Sequence, residues 1–540
     1  MNRIVIFFFI VLQTVHLFSQ EQQFTRQDTL RGSITPEREW WDVIYYHLDI
    51  RVEPDRKYIS GKNTIHYKVL KEQQVLQIDL QSPLTLEKAI QGNAILNVKS
   101  EGNAHFITLS KKQKKGSIES IEVYYSGNPR EAVNAPWDGG ISWTKDKNGN
   151  HFIASSCQGL GASVWWPNKD HMYDEVDSLL ISVNVPKSLI NVSNGRLRKV
   201  ETFEKTKTFH WFVSNPINNY GVNINIGDYV HFGEQYEGEK GTLDMDYYVL
   251  KYNLKKAKKQ FKDAPKMMKA FEHWFGPYPF YEDSFKLVEV PYLGMEHQSS
   301  VTYGNQYRNG YQGRDLSGSG WGMKFDFIII HEAGHEWFAN NITYKDAADM
   351  WIHESFTAYS ESLFLEYYYG KTAAEEYIRG TRKMINNDRP IIGTYHVNQE
   401  GSSDMYYKGA NMLLTLRQLI GDDELWRSIL RGVNEVFYHQ TVTTQQIEAY
   451  LSSQTKIDLT NFFDQYLRTT KIPTLEYHFA NGNLKYRYSN IIDEFDMPVR
   501  IFIDKKAKWI QPSTAWQTEK LTGNKLQIDP NFYIDTKVVP

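Results

Sequence analysis

From Phe327 to Glu361 the chain reads FIIIHEAGHEWFANNITYKDAADMWIHESFTAYSE. His331 and His335 are four residues apart, so on a helix their imidazoles share one face and reach one metal ion. Glu332 is offset by about 100° around such a helix. From there a carboxylate faces a water beside the metal without being a ligand. Catalytic zinc takes three protein ligands and keeps one position open. Glu354, with eighteen residues between it and His335, supplies the third ligand from a following helix. Glu361 lies seven residues further, on the same helical face, and is placed to orient a ligand histidine; a solvent-facing glutamate fits the same spacing. With 16 His in 540 residues, a chance H-E-x-x-H has odds of about 3%. The added downstream glutamate favours a metal site over two unrelated histidines.

The texture differs on either side of this segment. From about Val43 to Gly233, runs such as TIHYKVL, QVLQIDL and SLLISVNV are punctuated by Asn, Gly, Asp and Lys, the pattern of an antiparallel β saddle or sandwich. Near Asp244 the pattern becomes helical. NLKKAKKQFKDAPKMMKAFEHWFG spaces its apolar residues for one or two helices, with Pro265 as a break or a start. Helical patterns continue through 325–370, 404–435 and 443–468, and the Gly-rich stretch 304–322 reads as a surface loop. After Pro473, LEYHFANGNLKYRYS is strand, Asn-Gly turn, strand. The expected fold class is therefore multidomain α+β. It comprises a signal peptide at 1–20, an N-terminal β domain at 21–240, an α-rich catalytic domain at 241–470 and a small C-terminal β-sandwich at 471–540.

Composition narrows the function classes. Of 540 residues, 41% are apolar and 14% aromatic, which suits several packed domains and excludes a mainly disordered chain. A net charge of −3 gives no positive field for nucleic acid. The longest apolar run, Ile4 to Leu12, falls short of the roughly 20 residues a spanning helix needs, so no stable membrane span is expected in the mature chain. Arg3, that run and Ser19 together have the form of a secretory signal peptide; a single N-terminal anchor is the alternative. Cys157 is the lone cysteine, which excludes intrachain disulfides, and a chain this long buries enough surface without them. Export with almost no cysteine suits a bacterial periplasm or exterior.

The motifs resemble those of the zinc aminopeptidase family that includes aminopeptidase N and leukotriene hydrolase, gluzincins with a thermolysin-like catalytic domain. The family pattern is H-E-x-x-H-x-W-x-G-N followed by W-L-x-E-G-F, and this chain has HEAGHEWFAN and WIHESF. Trp337, Asn340, Trp351 and Phe356 match, while Ala339 and Ser355 replace glycines. FGPYPF at 275–280 is similar to F-G-x-Y-P, and YYKGANMLLTLRQLIG from Tyr406 to Y-E-K-G-A. LGMEH at 293–297 is similar to G-A-M-E-N, with Gly294 in place of the alanine and His297 in place of the asparagine. The resemblance runs from about Asp42 to the C-terminal β domain, as a short form without the long helical domain many members carry.

This resemblance implies one Zn²⁺ per chain on His331, His335 and Glu354, with Glu332 as general base and Tyr406 as donor to the oxyanion. It implies that Glu296, with Gly294 and Met295 beside it, binds the substrate N-terminus, since a buried carboxylate holds an ammonium by charge-assisted hydrogen bonds. SCQGLGASVWWPNKD looks like the region supplying a second amine anchor, which falls on Gln158. The implied function is a secreted zinc aminopeptidase acting on peptides with a free N-terminus, one residue at a time. A zinc endopeptidase or other hydrolase on the same site, and an inactive peptide-binding relative, are the alternatives. Glu296 counts against the first, and the complete set of ligands, base and tyrosine against the second. The preferred N-terminal residue and the oligomeric state do not follow from the sequence.

Overall fold

In the computed structural model, which describes residues 23–520 and 525–540, the alternating runs up to Gly227 form strands. The expected signal peptide, 1–20, lies outside the described residues. Helix α1 (Arg26–Gly32) opens on a reciprocal Thr25–Asp28 capping box and leads into an eight-stranded sheet. Its long strand β1 (Trp41–Glu53) pairs in parallel with β2 (Leu179–Pro186), Tyr46 facing Leu179. The sheet is thus not wholly antiparallel, as the sequence led us to expect. β1 and β2 are far apart in the chain, and strand periodicity does not record which distant neighbour a strand meets. Sheets of three and four strands back this one, around a core that includes Trp40, Trp41, Trp165, Trp166 and Trp211. Each buried aromatic of this size stabilises the domain by about 1.5–3 kcal/mol.

A second sheet opens before residue 240. β3 (Tyr229–Gly238) and β4 (Gly241–Leu250) form a hairpin, and β4 runs parallel to β5 (Phe285–Glu289). With β6 (Gly294–Met295) and β7 (Val301–Tyr303) they make one sheet in the order β3-β4-β5-β7-β6. The boundary expected between 240 and 241 therefore falls in a hairpin turn. Composition distinguishes strand from helix, and the catalytic domain opens with strands of its own.

Helix α2 (Asp263–Phe275) carries Pro265 in its first turn, where the missing N–H has no helical acceptor to lose. It buries Met267, Met268, Phe271 and Phe275, spaced along one face, against α3 (Phe327–Gly334) and α4 (Trp351–Tyr369). Helix α5 (Tyr407–Ile420) packs on α4 from the other side. α4 is buried from Trp351 to Leu365, including Glu354, Ser355, Thr357 and Glu361. Polar groups in such a position are costly unless partnered, so their partners mark the site. The Gly-rich stretch before α3 lies at the surface, with exposed residues such as Gly318 and Gly320.

Beyond the helices, β8 (Thr474–Ala480) and β9 (Asn483–Ser489) pair across Asn481 and Gly482, both at positive φ (51° and 72°), as the tight hairpin turn requires. They belong to a four-stranded sheet that accompanies a three-stranded one, and their core is continuous with that of the catalytic domain. Among the described residues no helix is long and apolar enough to cross a membrane.

Candidate active site

Helix α3 begins with the Asp326 carboxylate accepting from the N–H groups of Ile328 and Ile329, an N-cap. Its isoleucines enter the core and His331 and Glu332 line the cleft. The helix stops at His335, because Phe338 and Ala339 leave helical geometry. That exit lets the Phe338 carbonyl lie 3.0 Å from His335 Nδ1, with Thr357 Oγ1 at 3.1 Å. His331 Nδ1 is 2.7 Å from Glu361 Oε1, and Tyr377 donates to the other Glu361 oxygen at 2.6 Å. Glu361 therefore stands behind His331 and is buried, not solvent-facing. With both Nδ1 atoms engaged, both Nε2 atoms are left for a metal.

Glu354 Oε2 lies 3.4 Å from His335 Nε2 and 3.8 Å from His331 Nε2, and this buried oxygen has no hydrogen-bond donor among the described residues. Tetrahedral zinc with bonds of about 2.0–2.1 Å holds its ligand atoms about 3.4 Å apart. The donor set and the orphaned oxygen fit zinc. Burial disfavours every charge here, yet His335 and His331 hold the Glu354 carboxyl well below the usual range. Burial pushes Glu332 up to about 7, with the two histidines opposing and Glu296 and Glu354 adding to it. One atom each of Glu332, Glu296 and His335 lies within 4.8 Å of the others.

The other wall is the edge strand β6. A Cβ on Gly294 would come within 2.6 Å of Ile328 Cγ2 and 3.3 Å of Glu332 Cγ, so the glycine lets the strand lie directly on α3. Met295 is buried beside it and lines the same cleft. Glu296 follows, buried, with Oε1 accepting from Gln158 Nε2 at 2.6 Å and from Tyr220 at 3.1 Å. Gln158 Nε2 also lies 3.2 Å from Glu354 Oε1, so a loop of the N-terminal domain reaches both the anchor and the ligand. Asn340 fixes the strand by donating to the Glu296 carbonyl at 2.9 Å. His297 faces inward, and burial pushes its pKa down to about 3, so it packs as a neutral ring.

The Tyr406 ring stacks on His331 with centroids 6.0 Å apart. Burial, then the charges of Glu354 and Glu296, hold the Tyr406 phenol well above its ordinary pKa, so it remains a donor. His331, Glu332, Glu354, Tyr406, Glu296 and Gln158 all line one cavity of about 440 Å³. Every site residue read from the sequence meets there or, for Glu361, directly behind it.

Sequence reasoning missed Tyr220 and Ser355. Tyr220 sits in NNYGVNI, which carries no motif. Ser355 read only as a replaced glycine. Its hydroxyl donates to the Met405 carbonyl at 2.6 Å, tying the start of α5 to the ligand helix. The hydroxyl has room because residue 409 is glycine, where a Cβ would come within 1.9 Å of Ser355 Oγ. Ser355→Ala loses this tie beside Tyr406. We expect kcat to fall about fivefold, the worth of one hydrogen bond, with metal content unchanged, as steady-state kinetics and metal analysis would record.

Comparison with known proteins finds a family domain and a shared fold. Residues 259–466 match the Peptidase family M1 domain. Leukotriene A-4 hydrolase of Xenopus laevis is 23% identical over 461 residues, 80% of this chain and 71% of that one. Probable aminopeptidase 2 of Sulfurisphaera tokodaii is 22% identical over 370 residues, 64% of this chain but 45% of its own length. The chain thus spans about half of the longer aminopeptidases it matches. A crystal structure of an M1 zinc metallopeptidase from Deinococcus radiodurans, bound to a Tyr-Ser-Ala substrate, shares the fold. Its TM-score is 0.68 at 18% identity, over 82% of this chain and 98% of that one. With a domain match over residues 259–466, relatives similar along most of the chain, a shared architecture and a ligand triad fitted to zinc, the chain carries a peptidase family M1 domain with a zinc site.

Proposed function

We propose that this protein is an exported aminopeptidase that removes single residues from the N-terminus of peptides. The observation that carries this reading is the buried Glu296 carboxylate, gripped by Gln158 and Tyr220 beside Glu332. A protonated α-amine binds there by charge-assisted hydrogen bonds. With the amine held at that point, only the first peptide bond reaches the catalytic groups. Zinc held by His331, His335 and Glu354 supplies Lewis acidity, which polarises a carbonyl and acidifies water. Glu332 takes the proton of the attacking water and passes it to the leaving amine. The Tyr406 hydroxyl donates to the carbonyl oxygen as it gains negative charge. Glu361 and the Phe338 carbonyl keep the histidine rings oriented throughout. The charged start and short apolar run of the N-terminus support delivery to a periplasm or the exterior.

The test pairs free-amine aminoacyl fluorogenic substrates with their N-acetylated twins, with and without a zinc chelator. We expect chelator-sensitive release from the free-amine member alone. Release from both would overturn the role of Glu296. Release from neither would overturn the enzymatic reading.

A further inference from the structure

The outer part of the active-site cavity carries a charge that the proposed reaction does not use. Four carboxylates line the cavity, those of Glu296, Glu332, Glu354 and Glu400, and among the described lining residues Arg389 is the only lysine or arginine. Arg389 is exposed. Among the described residues its guanidinium makes one hydrogen bond, from Nη2 to the Gly401 carbonyl at 3.0 Å. Among the described residues no carboxylate lies within ion-pair distance of it; the neighbouring Asp388 instead accepts from the Ser402 hydroxyl at 2.5 Å. Most of the donor fork is therefore open to the cleft.

The loop that carries Arg389 has braces besides this side chain. Ser402 N donates to the Pro390 carbonyl at 2.9 Å, and the Asp404 carboxylate accepts from the N–H groups of Asn386 and Asn387. A guanidinium exposed on a braced loop, with no ion pair among the described residues beyond the longer-range pull of Asp388, in a cavity whose other acidic and basic chains are four glutamates and two histidines, is suited to an anion from the ligand. A guanidinium fork matches a carboxylate in two-point geometry. An unmodified short peptide carries an ammonium at one end and a carboxylate at the other, the charge pattern that Glu296 and Arg389 present at two places in one cavity of about 440 Å³.

We propose that Arg389 is a specificity-determining residue that binds the C-terminal carboxylate of short peptides, so that the preferred substrates are oligopeptides of a few residues with both termini free. The proposal rests on the aminopeptidase reading above and names the substrate class of the same site.

The experiment compares di-, tri- and tetrapeptides as free acids with their C-terminal amides, on the wild-type protein and on Arg389→Ala. We expect the wild type to favour the free acid at one of these lengths. There, Arg389→Ala lowers kcat/KM on the acid about tenfold or more, the worth of a hydrogen bond to a charged group. The loss should appear mainly in KM. On the amide and on the aminoacyl fluorogenic substrates the variant should match the wild type, which also shows that it folds and keeps its site. Arg389→Lys, keeping the charge without the fork, should fall between. Equal losses on acid and amide would assign Arg389 a merely structural role and overturn the proposal. So would a wild type that treats acids and amides alike while still cleaving the fluorogenic substrates, which leaves the aminopeptidase reading standing. A wild type that cleaves none of these substrates overturns both.

Discussion

Glu332→Gln should lower kcat by about a thousandfold, within the range for loss of a general base, and leave the zinc in place. The amide keeps the shape of the carboxylate but cannot take a proton from water. The two histidines and Glu354 face one another without Glu332, which lines the cavity beside them. The substitution also removes a carboxylate that burial makes costly to ionise, so the variant should melt no lower than the wild type. Metal analysis, thermal melting and steady-state kinetics on a free-amine substrate separate the outcomes. Loss of zinc in step with loss of activity would make Glu332 part of the metal site and overturn its role as base.

Glu296→Gln should erode the selectivity of the enzyme more than it damages the chemistry. The Gln158 amide and the Tyr220 hydroxyl now donate to a carboxylate oxygen. An uncharged amide at 296 meets the substrate ammonium without a counter-charge. Removing one partner of a buried charged pair costs about 2–5 kcal/mol, so kcat/KM on free-amine substrates should drop by roughly a hundredfold or more. N-acetylated twins, which bring no charge to the pocket, should be cleaved no more slowly than by the wild type, so the ratio between twins collapses. The ratio is the measurement to watch. A loss that is equal for both twins would place Glu296 in the scaffold and not in amine recognition.

What could be read in the sequence was set by how local each feature is. His331, Glu332 and His335 share one helix, and Glu354 and Glu361 share the next, so helical spacing alone brings each group to one face. The Asn481–Gly482 hairpin was legible for the same reason, since positive φ at both turn residues is a property of the residues themselves. Glu296 and Gln158 became visible only through resemblance, because GMEH and SCQGL carry no periodicity that points to an ammonium. Tyr220 and Ser355 act through partners distant in the chain, Glu296 and Met405, and nothing in their neighbourhoods announces either contact. β3 and β4 look like the strands before them, so composition does not mark where the second sheet opens. Only the parallel pairing of β4 with β5 reveals the sheet to which they belong.

Gln158 donates to both Glu296, the proposed amine anchor, and Glu354 of the zinc triad, and it comes from the N-terminal β domain. The catalytic domain can therefore assemble its metal centre from its own residues, whereas recognition of a chain end is a property of the seam between two domains. Selectivity and reactivity are thus separately built. Movement of the β domain against its neighbour would alter which peptides are accepted before it altered the ability to break a bond.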